Sequence, residues 1–267
     1  MNDAPIGVFD SGIGGLTVVA AIMQELPNER VVYVGDTARV PYGPKSPETV
    51  LRYSRQIAAW LLEQNVKAIV IACNTATASA LETLQRECPV PVIGVVEPGA
   101  RAAVRATRNG QIGVIGTAGT INSGAYHRAI AALSPAAAVV SAACALFVPV
   151  VEEGWVEHPA THLIAETYLQ PMRDAHIDTL VLGCTHYPLL KAVVADVVGR
   201  NVVLVDSAAE TANALRDVLR EHEIAASADA VRGVHRFVAT DAPAAFRRVG
   251  QRFIGPALDE VETTVFA

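Results

Sequence analysis

The chain has 267 residues, of which 51% are hydrophobic and 18% charged, with a formal net charge of −6. That is enough apolar material for one large core or two smaller ones. The acidic balance argues against nucleic acid as a partner, because phosphate binding needs clustered Lys and Arg, and no apolar run approaches the roughly 18 to 20 residues that a membrane span requires.

The segment Met1-Asn2-Asp3-Ala4-Pro5 is short and acidic and runs straight into a strand, unlike a secretory signal. A cytoplasmic location is expected, where thiols stay reduced, so the four cysteines are not read as a disulfide framework.

Short apolar runs alternate with amphipathic stretches along the chain. The first strand is predicted over 6–9, followed by Asp10-Ser11-Gly12-Ile13-Gly14-Gly15 and a helix over 16–26. The glycines permit a tight turn and close ligand approach, and a helix start offers free N–H groups to an anion. Their spacing is not that of the dinucleotide fingerprint. The segment is either a strand-to-helix turn capped by Asp10 or Ser11, or a carboxylate-binding loop with Asp10 aimed into a cleft.

A second strand over 31–34 closes on Asp36-Thr37, and Pro41-Tyr42-Gly43-Pro44 follows. A rigid loop with a packed Tyr42 explains this segment. So does a pocket whose wall Tyr42 shapes while Gly43 lends a backbone N–H. A helix is predicted over 47–64, with Pro47 in its first turn.

The third strand, 68–72, ends in Cys73-Asn74-Thr75. An isolated strand-end Cys is usually core. Three polar-capable residues after five apolar ones are harder to explain by packing, because buried polar groups need partners and a ligand is one candidate. A helix over 77–86 and a strand over 92–95 follow, and then Glu97-Pro98-Gly99, which reads as a break between two halves.

In the second half, strands are predicted over 112–115, 138–141, 179–182 and 202–205, with helices over 120–133, 160–174, 189–198 and 208–221. Thr117-Ala118-Gly119-Thr120 is either a helix cap or a second anion-binding turn. Glu152 and Glu153 follow the apolar run Phe147-Val148-Pro149-Val150-Val151; surface carboxylates are the default there, and Glu152 drawn into a cleft is the alternative. The strand over 179–182 leads to Cys184-Thr185-His186-Tyr187-Pro188, which repeats the strand-end thiol and adds a His two positions on. A His so placed lowers a thiol's pKa or takes up its proton. Cys88 and Cys144 lack a following polar cluster and are assigned to structure. A tail from Val234 to Ala267 holds two short β-like runs around a helix and is expected to pack on the first half.

Strand–helix alternation of this kind gives mostly parallel sheets flanked by helices. Eight strands could close as a barrel, but the Cys73 and Cys184 segments look like counterparts in two similar α/β domains. The expected division is 1–97 plus 207–267 for a discontinuous first domain and 98–206 for the second, with the active site in the cleft between them. Ligands in open α/β sheets bind outside the carboxyl ends of strands. Two matched thiols at two such edges suit a reaction that needs one acid/base group on each side of a substrate carbon.

Taken together, Phe9-Asp10-Ser11-Gly12-Ile13-Gly14-Gly15-Leu16-Thr17, Gly35-Asp36, Pro41-Tyr42-Gly43, Ala72-Cys73-Asn74-Thr75-Ala76, Phe147-Val148-Pro149-Val150-Val151-Glu152-Glu153-Gly154 and Gly183-Cys184-Thr185-His186-Tyr187-Pro188 resemble the motifs of the glutamate racemases, in the cofactor-independent aspartate/glutamate racemase superfamily. Each motif is weak alone; all of them in this order are specific. His186 resembles the glutamate rather than the aspartate racemases, which carry an acidic residue there. Ala145 departs from the Pro of many members.

The resemblance implies interconversion of L- and D-glutamate without pyridoxal phosphate or metal, supplying D-glutamate for peptidoglycan, often by a homodimer. It implies that Cys73 and Cys184 are the catalytic thiols, with Asp10 assisting Cys73, His186 assisting Cys184, and Glu152 nearby. Asp10, Ser11, Tyr42, Gly43, Asn74, Thr75, Thr185 and His186 would contact substrate, with Thr117 and Thr120 as additions. Three other readings of the same residues stand beside it: a Cys2His zinc site from Cys73, Cys184 and His186, a two-lobed module that traps an amino acid, and a racemase acting on aspartate.

Overall fold

Runs of Val, Ile, Ala and Leu that are buried on both faces form the strands of a parallel sheet rather than an alternating one. The computed structural model describes residues 2–227 and 235–266. The first half runs β1 (Ile6–Asp10), α1 (Leu16–Glu25), β2 (Val31–Gly35), α2 (Pro47–Glu63), β3 (Ala68–Ile71), α3 (Asn74–Glu87), β4 (Val92–Gly94) and α4 (Val96–Ala106). The second runs β5 (Gln111–Gly116), α5 (Ala118–Asn122), α6 (Ala125–Leu133), β6 (Ala138–Ala143), α7 (Phe147–Glu152), α8 (Pro159–Asp174), β7 (Thr179–Gly183), α9 (Lys191–Val198) and β8 (Val203–Asp206). The chain then returns through α10 (Ser207–Glu221) to β9 (Arg236–Ala239), α11 (Pro243–Ile254) and β10 (Glu262–Thr263).

Among the described residues the strands form two separate sheets, ordered β10-β9-β2-β1-β3-β4 and β6-β5-β7-β8, and no barrel closes. Every pairing is parallel. The run β2-β1-β3-β4 has the same order as β6-β5-β7-β8, second-first-third-fourth, which is the physical content of the two-fold echo in the sequence. In each sheet the order reverses between the first and third strands. Such a switch point opens a crevice at the carboxyl ends of the strands.

Helices cover both faces of each sheet, and successive strand residues feed opposite cores. Ile6 and Val8 join one cluster with α1 and α10, while Phe9 joins another with α2 and α3. In the second sheet Leu180 and Leu182 pack with Phe147, and Val181 packs with Tyr126. The tail returns to the first sheet as expected, with β9 beside β2; its first residue, Val234, lies outside the described residues.

Several local expectations are corrected. Glu97-Pro98-Gly99 is helical rather than a loop; it lies in the opening turns of α4. Proline is tolerated in a first turn because its missing N–H has no intrahelical acceptor to lose. The helix expected over 120–133 splits into α5 and α6 at Gly124, whose φ of +65° ends the first segment. The expected helix over 77–86 begins three residues earlier, so Asn74 and Thr75 form its first turn rather than a strand end. The segment 147–152 is helical as α7, which its apolar run did not suggest. Ahead of Pro47, Ser46 caps α2, its Oγ accepting from Thr49 N–H at 3.3 Å.

Phe147 links fold to site. It is fully buried, stands edge-on to Tyr168 and Tyr187 at 5.4 and 5.3 Å, and anchors the helix that carries Glu152. Phe147→Ala is expected to cost about 3–5 kcal/mol, read from urea unfolding followed by fluorescence. A loss below about 1 kcal/mol would mean that this ring does not anchor α7.

Candidate active site between the two sheets

The carboxyl ends of β1 and β3 face those of β5 and β7 across a cavity of about 470 Å³, within the range of small-ligand sites. Ser11, Tyr42, Gly43, Cys73, Asn74 and Thr75 line it from the first sheet's side, and Thr117, Glu152, Cys184, Thr185 and His186 from the second. Asp10 and Thr120 do not reach the wall; they back it. Ala145 lies on the wall, beside Val148 and Pro149.

Cys73 follows β3 and caps α3, its Sγ accepting the Ala76 N–H at 3.4 Å. Its thiol donates to Ser11 Oγ at 3.7 Å. Burial, and then the negative charge of Asp10, push the Cys73 thiol up to about 12. Asp10 ends β1 and accepts the Gly12 N–H at 3.1 Å. It does not cap α1, whose N-cap, Gly15, has no side-chain cap. Its other oxygen is buried without a hydrogen-bond donor among the described residues. Burial raises the Asp10 carboxyl above its ordinary range, against the pull of His186.

On the opposite side, Cys184 Sγ lies 3.9 Å from His186 Nδ1, and His186 Nε2 lies 2.9 Å from Glu152 Oε1. Burial alone would lower the imidazole's affinity for a proton, but Cys184 and Glu152 overcome it and lift His186 to about 10. Glu152 keeps 42% of its side chain exposed, so it is half drawn into the cleft. Two contacts from α11 support the pair: Arg252 Nη1 donates to the Glu152 carbonyl at 2.6 Å, and Phe253 stands edge-on to His186 at 5.8 Å.

Polar groups stitch the two sides together. Thr75 Oγ1 meets Thr117 Oγ1 at 2.8 Å and Thr120 Oγ1 at 3.2 Å. Thr117 also caps α5, the first of the two readings of that turn. Gly119 N–H donates to the Gly43 carbonyl at 2.8 Å, and a Cβ at Gly43 would press on Thr117 at 2.9 Å. Thus Gly43 meets the second half through its carbonyl oxygen. Tyr42 gives its hydroxyl to Asp36 and offers only its ring to the wall. Thr17 donates to the Thr185 carbonyl at 3.2 Å, and Tyr126 donates to Asn74 Oδ1 at 2.7 Å.

Tyr126, Arg252 and Phe253 carried no signal in the sequence, and Thr17 stood only at the end of the Phe9–Thr17 motif with no role of its own, since each acts on a residue far away along the chain. Cys144 is buried beneath the site with its thiol pushed up to about 12 by burial, and Cys88 caps the end of α3. Among the described residues no three His, Cys, Asp or Glu side chains are grouped as a metal-ligand set. Among them, too, no helix is long and apolar enough to cross a membrane.

Residues 6–215 match the Asp/Glu/Hydantoin racemase family. The chain is 54% identical to the glutamate racemase of Geobacter metallireducens over 256 residues, 96% of this chain and 94% of that one. It superposes on a glutamate racemase from Bacillus anthracis with a TM-score of 0.94 at 40% identity, covering 100% of this chain and 98% of the other. The corresponding values for the Francisella tularensis glutamate racemase in complex with D-glutamate are 0.92 and 40%, over 99% and 98%. With its strand order, its paired strand-end thiols and these likenesses, the chain belongs to the Asp/Glu/Hydantoin racemase family, among the glutamate racemases.

Proposed function

We propose that this protein interconverts L- and D-glutamate by two-base proton transfer at Cα, with Cys73 and Cys184 as the two bases and without a cofactor. The observation that carries the reading is the placement of two buried thiols on opposite sides of one cavity, each at the switch point of its own sheet. The D-glutamate held by the Francisella tularensis relative supports the choice of substrate. D-Glutamate made this way would serve peptidoglycan synthesis in the cytoplasm. We further propose a homodimer and a division into 1–97 plus 207–267 and 98–206, which the common core of α1 and α10 supports.

Racemisation breaks and remakes one Cα–H bond. A thiolate on one face takes the proton, leaving the electron pair on a planar carbanion, and a thiol on the other face returns a proton. The reverse reaction exchanges the two roles. In the resting protein Cys73 holds its proton, and His186 is an imidazolium near neutrality. That cation offsets the charge Cys184 acquires when it gives up its proton, while Asp10 is placed to assist transfer at Cys73.

Among the described residues the cavity wall contains no Lys or Arg. The substrate's carboxylates are then met chiefly by neutral donors: Asn74 Nδ2, buried and without a partner among the described residues, and the hydroxyls of Ser11, Thr75, Thr117 and Thr185. Thr120 holds Thr75 and Thr117 in place from behind. Donors aimed at the α-carboxylate stabilise the carbanion, and removing one such donor typically costs about 10²- to 10³-fold in rate. A cavity closed to water strengthens each of these terms.

Cys73→Ser and Cys184→Ser are each expected to lose racemisation by several orders of magnitude. Each is expected to retain elimination from one enantiomer of a glutamate analogue with a leaving group at Cβ, which needs only one base. In heavy water, early D-glutamate formed from L-glutamate should carry deuterium while remaining substrate stays protiated. Equal early labelling of both pools would replace two bases with one exchanging base. Aspartate run in parallel should turn over far more slowly; comparable rates would transfer the reading to the aspartate racemases.

The folded-state pKa of His186, about 10, stands above its ordinary 6.5, so its protonation stabilises the fold. That contribution is complete below pH 6.5 and is lost as pH rises towards 10. The urea stability of the protein should therefore exceed that of His186→Asn by a margin that shrinks across this window. A margin independent of pH would show that His186 is not held as a cation.

A further inference from the structure

The two ends of the Asn74 amide differ in chemistry, and the protein controls which one faces the cavity. Tyr126 on α6 donates its phenolic O–H to Asn74 Oδ1 at 2.7 Å, and both side chains are buried. Ser207, at the start of α10, lies beside the phenol. Gly99 on α4 makes room for this meeting: a Cβ there would lie 3.1 Å from the Tyr126 oxygen and 3.2 Å from Ser207 Cβ. The phenol has one hydrogen to give, and only the carbonyl end of the amide can take it. Asn74 Nδ2 is left buried, without a partner among the described residues, on a side chain that lines the cavity. A buried donor in that state is costly unless a ligand atom meets it.

We propose that Tyr126, backed by Ser207, is a positioning residue that locks the Asn74 amide with its NH2 group towards the cavity, where it receives a carboxylate oxygen of the amino-acid substrate. The assignment rests on the glutamate reading above. Tyr126 is absent from the cavity wall and acts only through Asn74. Without the phenolic hydrogen the amide is free to turn over, and its carbonyl oxygen would then repel the carboxylate.

The test is Tyr126→Phe in the full-length protein, with glutamate racemisation followed by polarimetry and, for weak variants, by α-proton exchange at high enzyme concentration. Tyr126→Phe is expected to lower kcat/KM roughly tenfold, chiefly through KM. In an Asn74→Ala background the same change should matter by less than about twofold, because its only target is gone. Ser207→Ala should act in the same direction but more weakly, and it replaces Tyr126→Phe in the cycle if thermal unfolding shows that variant to be misfolded. An unchanged KM in Tyr126→Phe, or an equal loss in both backgrounds, overturns the proposal and leaves a packing role. A wild-type protein inactive on glutamate would instead overturn the functional reading, so the two failures are distinguishable.

Discussion

Two sulfur atoms can share one carbon only if two independent sheets hold them at fixed positions, and parallel pairing supplies that fixity. Val8 pairs with Tyr33 on one side and Val70 on the other, which sets Ser11 and Cys73 side by side beyond the strand ends. Val114 pairs with Val181, which does the same for Thr117 and Cys184. Because side chains alternate along a strand, a slip of one residue in either ladder would turn every core residue to the wrong face. The apolar alternation that builds the cores thus also aims the thiols, and no separate device is needed.

The electrostatics are arranged asymmetrically around this frame. On one side a buried carboxylate and a buried thiol share a region that penalises charge, so both are pushed towards their protonated forms. On the other an imidazolium is sustained by Glu152, whose helix end is gripped by Arg252 from α11. A guanidinium at the last carbonyls of a helix is favourably placed against the helix dipole. The α11 helix therefore belongs to the site although none of its residues lines the cavity.

The sequence showed both thiols, because a polar cluster closing a buried strand contradicts packing and demands another explanation. It showed the sheets for the same reason that it showed the cores: β-branched runs alternate with helical periodicity. It did not show that Cys73 starts a helix, since cysteine is an uncommon cap and Asn74-Thr75 resemble a turn. It did not show α7, whose Pro149 argues locally against a helix. The pairs Tyr126–Asn74, Thr17–Thr185 and Arg252–Glu152 lie 52, 168 and 100 residues apart and exist only once the two sheets have met. Such contacts leave no local pattern to read.

Those cross-sheet pairs share one character: they are hydrogen bonds. Apolar residues fill the cores within each sheet, while Thr75–Thr117, Gly119–Gly43, Thr17–Thr185, Tyr126–Asn74 and Arg252–Glu152 join one side to the other. A hydrogen bond exchanged for water costs little net free energy, whereas exposing packed apolar area costs much more. The two halves therefore meet largely through contacts that water can replace, with Phe253, packed against a core on each side, as an apolar exception. Thr75 and Thr117, which join the two sides, also line the cavity, so under the proposed function binding and closure would draw on one set of donors.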